Sequence, residues 1–171
     1  MKTDKFPAMV MIRDVGASVT PLPGRTFLPE TIQLVRDVQT ELQIILYQWK
    51  WEPHQRQSGL QHLNNEVLMA ARRGVSVRVL LNKEHEKHHL TNINGLTMRF
   101  LQQAGVLCKF GPSFPATHAK LWIFDRGVVV LGSHNLSKRS VFNNDEASVI
   151  IKSVPVAMEY LRYFDLLWHR F

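Results

Sequence analysis

The sequence predicts an α/β fold with a mixed central β-sheet flanked by helices. Apolar residues repeat at helical spacing in four segments, and short β-branched or alternating runs lie between them. The two kinds of segment alternate along the chain, which places helices on the faces of one sheet. A length of 171 residues suits a single domain, taken as residues 1–171.

The elements follow in order. The Pro/Gly-rich stretch 21–29 reads as a loop. Residues 28–38 carry apolar side chains at 28, 32 and 35 and predict a helix. Leu42–Trp49 is β-rich and predicts a buried strand. Leu60, Leu63, Val67, Leu68 and Ala71 form a helical stripe, and Gly74 is a stop signal. Val75, Val77, Val79 and Leu81 alternate as in a strand. A polar loop spans 82–92 and a short helix 95–104. Strands follow at 106–110, 118–124 and 128–131, the last two joined by the tight turn Asp125-Arg126-Gly127. A strand at 147–151 precedes a final helix at 155–171, with Ala157, Leu161, Phe164, Trp168 and Phe171 on one face.

Apolar residues make up 45% and charged residues 20%, which excludes a disordered or collagen-like chain. The formal charge of +7 and a pI near 9.9 point to a polyanionic partner, nucleic acid or an anionic surface. One cysteine, Cys108, excludes an intrachain disulfide and reads as a small buried residue. No apolar run approaches the roughly 18 residues that span a bilayer, so no stable membrane insertion is expected. The run from Phe6 to Ile12, stopped by Arg13-Asp14, is too short and too charged for a signal peptide, which predicts a cytoplasmic protein.

One segment carries chemistry. His118-Ala119-Lys120 opens a strand in which alternate residues share a face, so an imidazole and an ammonium project together. The next strand ends in Gly132-Ser133-His134-Asn135, which puts Ser133 and Asn135 at the same end of the hairpin. A nucleophile or acid/base, a cation and neutral donors suit a phosphodiester, whose attack adds negative charge to the nonbridging oxygens.

The pattern H-x-K-x4-D, then six residues, then G-S-x-N, resembles the HKD signature of the phospholipase D superfamily. His118, Lys120, Asp125, Gly132, Ser133 and Asn135 fill every position, and Glu146 sits where that family often has a downstream acid. The resemblance implies a phospholipase D-like sandwich. The family's active site uses two such motifs and this chain has one. His85-Glu86-Lys87 lacks the Asp five residues after its lysine and the Gly-Ser-x-Asn that should follow. A single copy resembles the small homodimeric endonucleases of the superfamily, in which a two-fold axis joins two half-sites.

The resemblance then assigns roles. His118 is nucleophile in one copy and general acid in the other. Lys120 and Asn135 hold the nonbridging oxygens, with Ser133 in the same cluster. Glu146 orients the imidazole through its other nitrogen. Asp125 at the hairpin turn is either catalytic or structural. No metal and no cofactor is implied, because histidine and lysine supply the charge. The expected partner is nucleic acid, DNA favoured over RNA. A lipid phosphodiesterase or phosphatidyltransferase is the alternative enzyme, and a catalytically silent nucleic-acid-binding module is the alternative class.

Other residues compete for attention. His85, Glu86 and His89 match H-E-x-x-H, but that zinc pattern needs a helix and a third ligand, and its neighbours offer no apolar face. The same loop reads instead as a solvated segment or a nucleic-acid contact through Lys83 and Lys87. Trp49 and Trp51 flank Lys50 and suit base stacking, a dimer seam or the core; Trp49 is carried as a nucleic-acid contact. Lys138 and Arg139 follow the Asn135 loop and are expected near the phosphate.

Overall fold

The computed structural model describes residues 12–52, 54, 58–85 and 89–171. The N-terminal run up to Met11, and Glu86 and Lys87, lie outside the described residues. The strands are β1 (Ser18–Pro23), β2 (Glu41–Leu46), β3 (Ser76–Leu81), β4 (Leu107–Phe110), β5 (Leu121–Phe124), β6 (Val128–Gly132) and β7 (Ala147–Lys152). The helices are α1 (Phe27–Asp37), α2 (Gly59–Arg72), α3 (His89–Gln103), α4 (Lys138–Phe142) and α5 (Val154–Arg170).

The sheet runs β1-β7-β6-β5-β2-β3-β4. β2, β3 and β4 pair in parallel; the remaining pairs are antiparallel. Alternation along each strand sorts side chains to two faces. Leu42, Ile44, Leu46, Val77, Val79, Trp122 and Phe124 pack beneath α1, α2 and α3. Ile45, Leu80, Leu121, Ile123 and Val129 pack against Ala157, Leu161 and Phe164 of α5. The mixed sheet between helical layers is the predicted architecture.

Three elements depart from the sequence expectation. The stretch 21–29, expected as a loop, contributes Pro21–Pro23 to β1, paired with Val149–Ala147 of β7. β1 is an edge strand, where a residue without an N–H costs no ladder bond on its open side. α3 starts at His89, inside the expected 82–92 loop. Its residues Asn94 and Thr97 are wholly buried and bond the backbone of Trp49 and Trp51, so tertiary contacts extend the helix. α4 was not expected; Ser137 caps it, its hydroxyl accepting from the Ser140 N–H.

Asp125 is a structural residue in this fold, which corrects its place among the catalytic candidates. It occupies the turn after β5, at the opposite end of the hairpin from His118. Its carboxylate accepts from the N–H groups of Gln39, Thr40 and Glu41 and from the Thr40 hydroxyl, at 2.7–3.1 Å. Partial desolvation raises its pKa, but these four bonds outweigh that and hold it below the usual carboxylate range. Asp125→Ala is expected to cost about 1–2 kcal/mol, a discounted figure because water reaches the turn. The depressed pKa means that this stabilisation is present at neutral pH and fades as pH falls through the carboxylate range. Urea unfolding of both proteins at pH 7 and pH 3 checks this: the gap should shrink at pH 3.

Candidate active site

β5 and β6 present the motif at one end of the hairpin. The strand proper begins at Leu121, so His118 and Lys120 lie just ahead of it rather than within it. They still meet. The Lys120 Nζ donates to the His118 carbonyl at 2.7 Å and lies 3.1 Å and 3.2 Å from the two ring nitrogens. His118 is exposed, whereas Lys120 is buried. Thr117 sets their entry: its N–H donates to Oδ1 of the wholly buried Asn82 at 2.8 Å.

Gly132 explains its place in the motif. A Cβ there would overlap the Ala147 carbonyl and the Ser148 side chain, so only glycine lets β6 lie this close to β7. Ser133 follows, its hydroxyl accepting from the Ala147 N–H at 3.0 Å. His134 is a buried structural histidine, stacked on Phe27 with 4.3 Å between ring centroids and bonded to Ser148 and the Gly24 carbonyl. The Asn135 Oδ1 accepts from the Gln48 N–H at 3.1 Å, which leaves its NH2 as the donor end.

His118, Lys120 and Ser133 line one cavity of about 370 Å³, walled by Tyr160 and Tyr163 from α5. Asn135, Lys138 and Arg139 line a second, open cleft of about 770 Å³. Lys83 follows the C-terminal end of β3, among neither set of lining residues.

Two expectations fail here. Trp49 is wholly buried, its Nε1–H donating to Asn64 at 2.9 Å and its ring 6.0 Å from that of Trp122. It is core, not a base-stacking platform. Glu146 accepts from the hydroxyl of Ser140 at 2.8 Å and the amide of Asn144 at 3.1 Å, and Ser133 also bonds it. Within the protomer it therefore braces the Asn135–Ser140 loop, since Ser140 in turn accepts from the Asn135 N–H. Its charge acts on Lys120 rather than bonding the His118 ring. The zinc pattern gains no third ligand: among the described residues no group of three His, Cys, Asp or Glu side chains could hold a metal, and Glu86 lies outside them.

Tyr47, directly after β2, is the residue that sequence reasoning missed. Its ring lies 4.7 Å from the His118 ring, and the Lys120 ammonium sits 5.3 Å over it. Asn94 donates to the Tyr47 carbonyl at 2.9 Å and fixes that backbone. No sequence pattern marks Tyr47, because it reaches the motif across the β2–β5 pairing.

Electrostatics set the protonation. Desolvation, then the Lys120 charge, lowers the His118 pKa. Desolvation also lowers the Lys120 pKa, while Glu146 pulls it back up. At neutral pH this gives an uncharged imidazole beside a cation, the pairing a nucleophile requires. NMR titration should place His118 below the ordinary value of about 6.5. In Lys120→Met the value should rise, because one of its two depressing causes is gone.

Comparison with known proteins places the chain in a family. Residues 32–168 match the family described as "Cardiolipin synthase, PLD-like domain". The chain belongs to the phospholipase D superfamily. Within that superfamily it is similar to the mitochondrial cardiolipin hydrolase of Mus musculus, 27% identical over 109 residues, covering 64% of this chain and 47% of that protein. It is also similar to the virion nicking-joining enzyme of vaccinia virus, 27% identical over 109 residues, covering 61% of this chain and 24% of that protein. The chain thus spans about half the length of the first relative and a quarter of the second. The fold is shared with Nuc, a phospholipase D family member from Salmonella typhimurium, at a TM-score of 0.73 and 19% identity, covering 91% of this chain and 95% of that one. NucT from Helicobacter pylori shares it at a TM-score of 0.72 and 18% identity, covering 91% and 97%.

Proposed function

We propose that the chain is a metal-independent phosphodiesterase that cleaves nucleic acid, DNA in the first instance, through a phosphohistidine. The observation that carries this is the His118–Lys120–Tyr47 cluster at the mouth of an open cavity that Ser133 of the same motif also lines. A single protomer holds one such histidine, and a double displacement needs a second group to handle protons. A homodimer supplies it, with two copies of His118 facing one phosphate across the two-fold.

In the first step a ring nitrogen of His118 attacks phosphorus and the bond to the leaving oxygen breaks. The leaving oxygen takes a proton from the other copy's His118, whose protonated form the bound phosphate's negative charge stabilises. Lys120 and Asn135 neutralise the charge that gathers on the nonbridging oxygens. In the second step water attacks phosphorus, the other copy's His118 takes its proton, and the P–N bond breaks. A phosphomonoester and an alcohol result. The charge stabilisation comes from Lys120, so the reaction asks for no metal.

The formal charge of +7 favours a polyanion as substrate. The name of the viral nicking-joining enzyme lies on the same side. The matching family description and the cardiolipin hydrolase relatives favour a second reading, a lipid phosphodiester. Among the described residues no helix is long and apolar enough to cross a membrane. The deciding experiment incubates plasmid, single-stranded DNA, RNA and cardiolipin vesicles with the protein in excess EDTA, beside sedimentation of the same sample. Cutting of nucleic acid by a dimer is expected. Release of lipid products without nucleic-acid cutting overturns the substrate class, and an active monomer overturns the two-half-site mechanism.

A further inference from the structure

We infer that the cleft beside Asn135 seats a second phosphate of the substrate, flanking the one that reacts, and so selects a polynucleotide strand over an isolated phosphodiester. This rests on the phosphodiesterase reading above and adds a site to it.

The cleft is separate from the cavity that holds His118, and the motif reaches both: Ser133 lines the cavity and Asn135, close after it in the chain, lines the cleft. Gln48 and Asn135, joined by a 3.1 Å hydrogen bond from the Gln48 N–H to the Asn135 Oδ1, both line it. Its volume of about 770 Å³ exceeds what one anion fills and suits a sugar–phosphate unit. Lys138 and Arg139 line it as well and stand exposed, and among the described residues neither enters an ion pair. Lys50 also lines the cleft but pairs with Glu52 at 2.7 Å, so among the described lining residues the unpaired positive charge is that of Lys138 and Arg139. An arginine fork beside a lysine matches a phosphate's oxygens. The exposed amide of Asn143 adds a neutral donor for sugar or phosphate oxygens, whereas that of Asn144 is already engaged with Glu146.

The same lining argues for a nucleic-acid strand rather than a lipid. Ile93 is the one apolar residue among the described lining residues, so the cleft's apolar surface comes largely from the stems of polar side chains rather than from a continuous aliphatic wall that would hold acyl chains. A strand places its next phosphate one sugar away from the reacting phosphate and needs no such wall.

The test compares kcat/KM on thymidine dinucleotide TpT, on the trinucleotide TpTpT and on bis(4-nitrophenyl) phosphate. It uses the wild type and the double variant Lys138→Gln/Arg139→Gln. The wild type should prefer the trinucleotide to the dinucleotide by about tenfold or more, and the variant should reduce that preference to about two- or threefold. For a longer single strand, the log–log salt dependence of binding should flatten by about 0.7 for each phosphate contact removed. Equal wild-type rates on dinucleotide and trinucleotide, or a preference untouched in the variant, would overturn the second-phosphate site and leave the phosphodiesterase reading standing. No turnover of any of the three, with cleavage of cardiolipin vesicles, would overturn both.

Discussion

His118→Ala should abolish cleavage, by at least about 10³-fold in kcat, while nucleic-acid binding survives. The residue is exposed at the cavity mouth and its ring makes no core contact, so the substitution leaves the fold intact. Its neighbours explain why no other group substitutes for it. Ser133 is engaged with the Ala147 backbone, and His134 is buried against Phe27 with both ring nitrogens bonded. Single-turnover cleavage in excess EDTA, beside a binding titration on uncut substrate, checks both halves of this expectation. Residual cleavage within tenfold of wild type would mean that the nucleophile is elsewhere.

Lys120→Met should lower kcat by about 10²–10³-fold, the range for removing one preorganised donor from an anionic transition state. The thioether fills much of the aliphatic space of the lysine and removes the charge. Lys120 is buried, bonded to the His118 carbonyl and stacked over Tyr47, so the ammonium is held in place before substrate arrives. That is the condition under which a cation acts without reorganisation cost. The variant also separates two roles of the lysine. If its charge matters mainly for keeping His118 neutral, activity should recover at higher pH. If it matters for the phosphoryl oxygens, the loss should persist at every pH. The geometry favours the second outcome, measured as kcat across pH 5–9.

Local patterns in the chain were the legible ones. The stripe from Leu60 to Ala71 becomes α2, bounded by the Ser58 cap, whose hydroxyl accepts from the Gln61 N–H. The alternation over Val75–Leu81 becomes β3, and the three-residue turn at Asp125 joins β5 to β6. Each of these rests on residues within a few positions of one another. The motif was legible for the same reason, since His118, Lys120, Ser133 and Asn135 lie on one hairpin. What escaped depends on partners far along the chain. β1 exists because β7, more than a hundred residues later, pairs with it despite two prolines. Trp49 is buried because Asn64, Asn94 and Thr97 arrive from two helices to satisfy its polar groups. The carboxylate of Asp125 serves a turn at residues 39–41. Tyr47 joins the site only once β2 lies against β5.

The covalent intermediate is the central claim, and the stereochemistry at phosphorus tests it most directly. A phosphorothioate diester of known configuration, hydrolysed in oxygen-18 water, yields a chiral product. Two in-line displacements, first by His118 and then by water, each invert phosphorus, so the account predicts net retention. Net inversion would show that water attacks in a single step, and His118 would then be a base rather than the nucleophile.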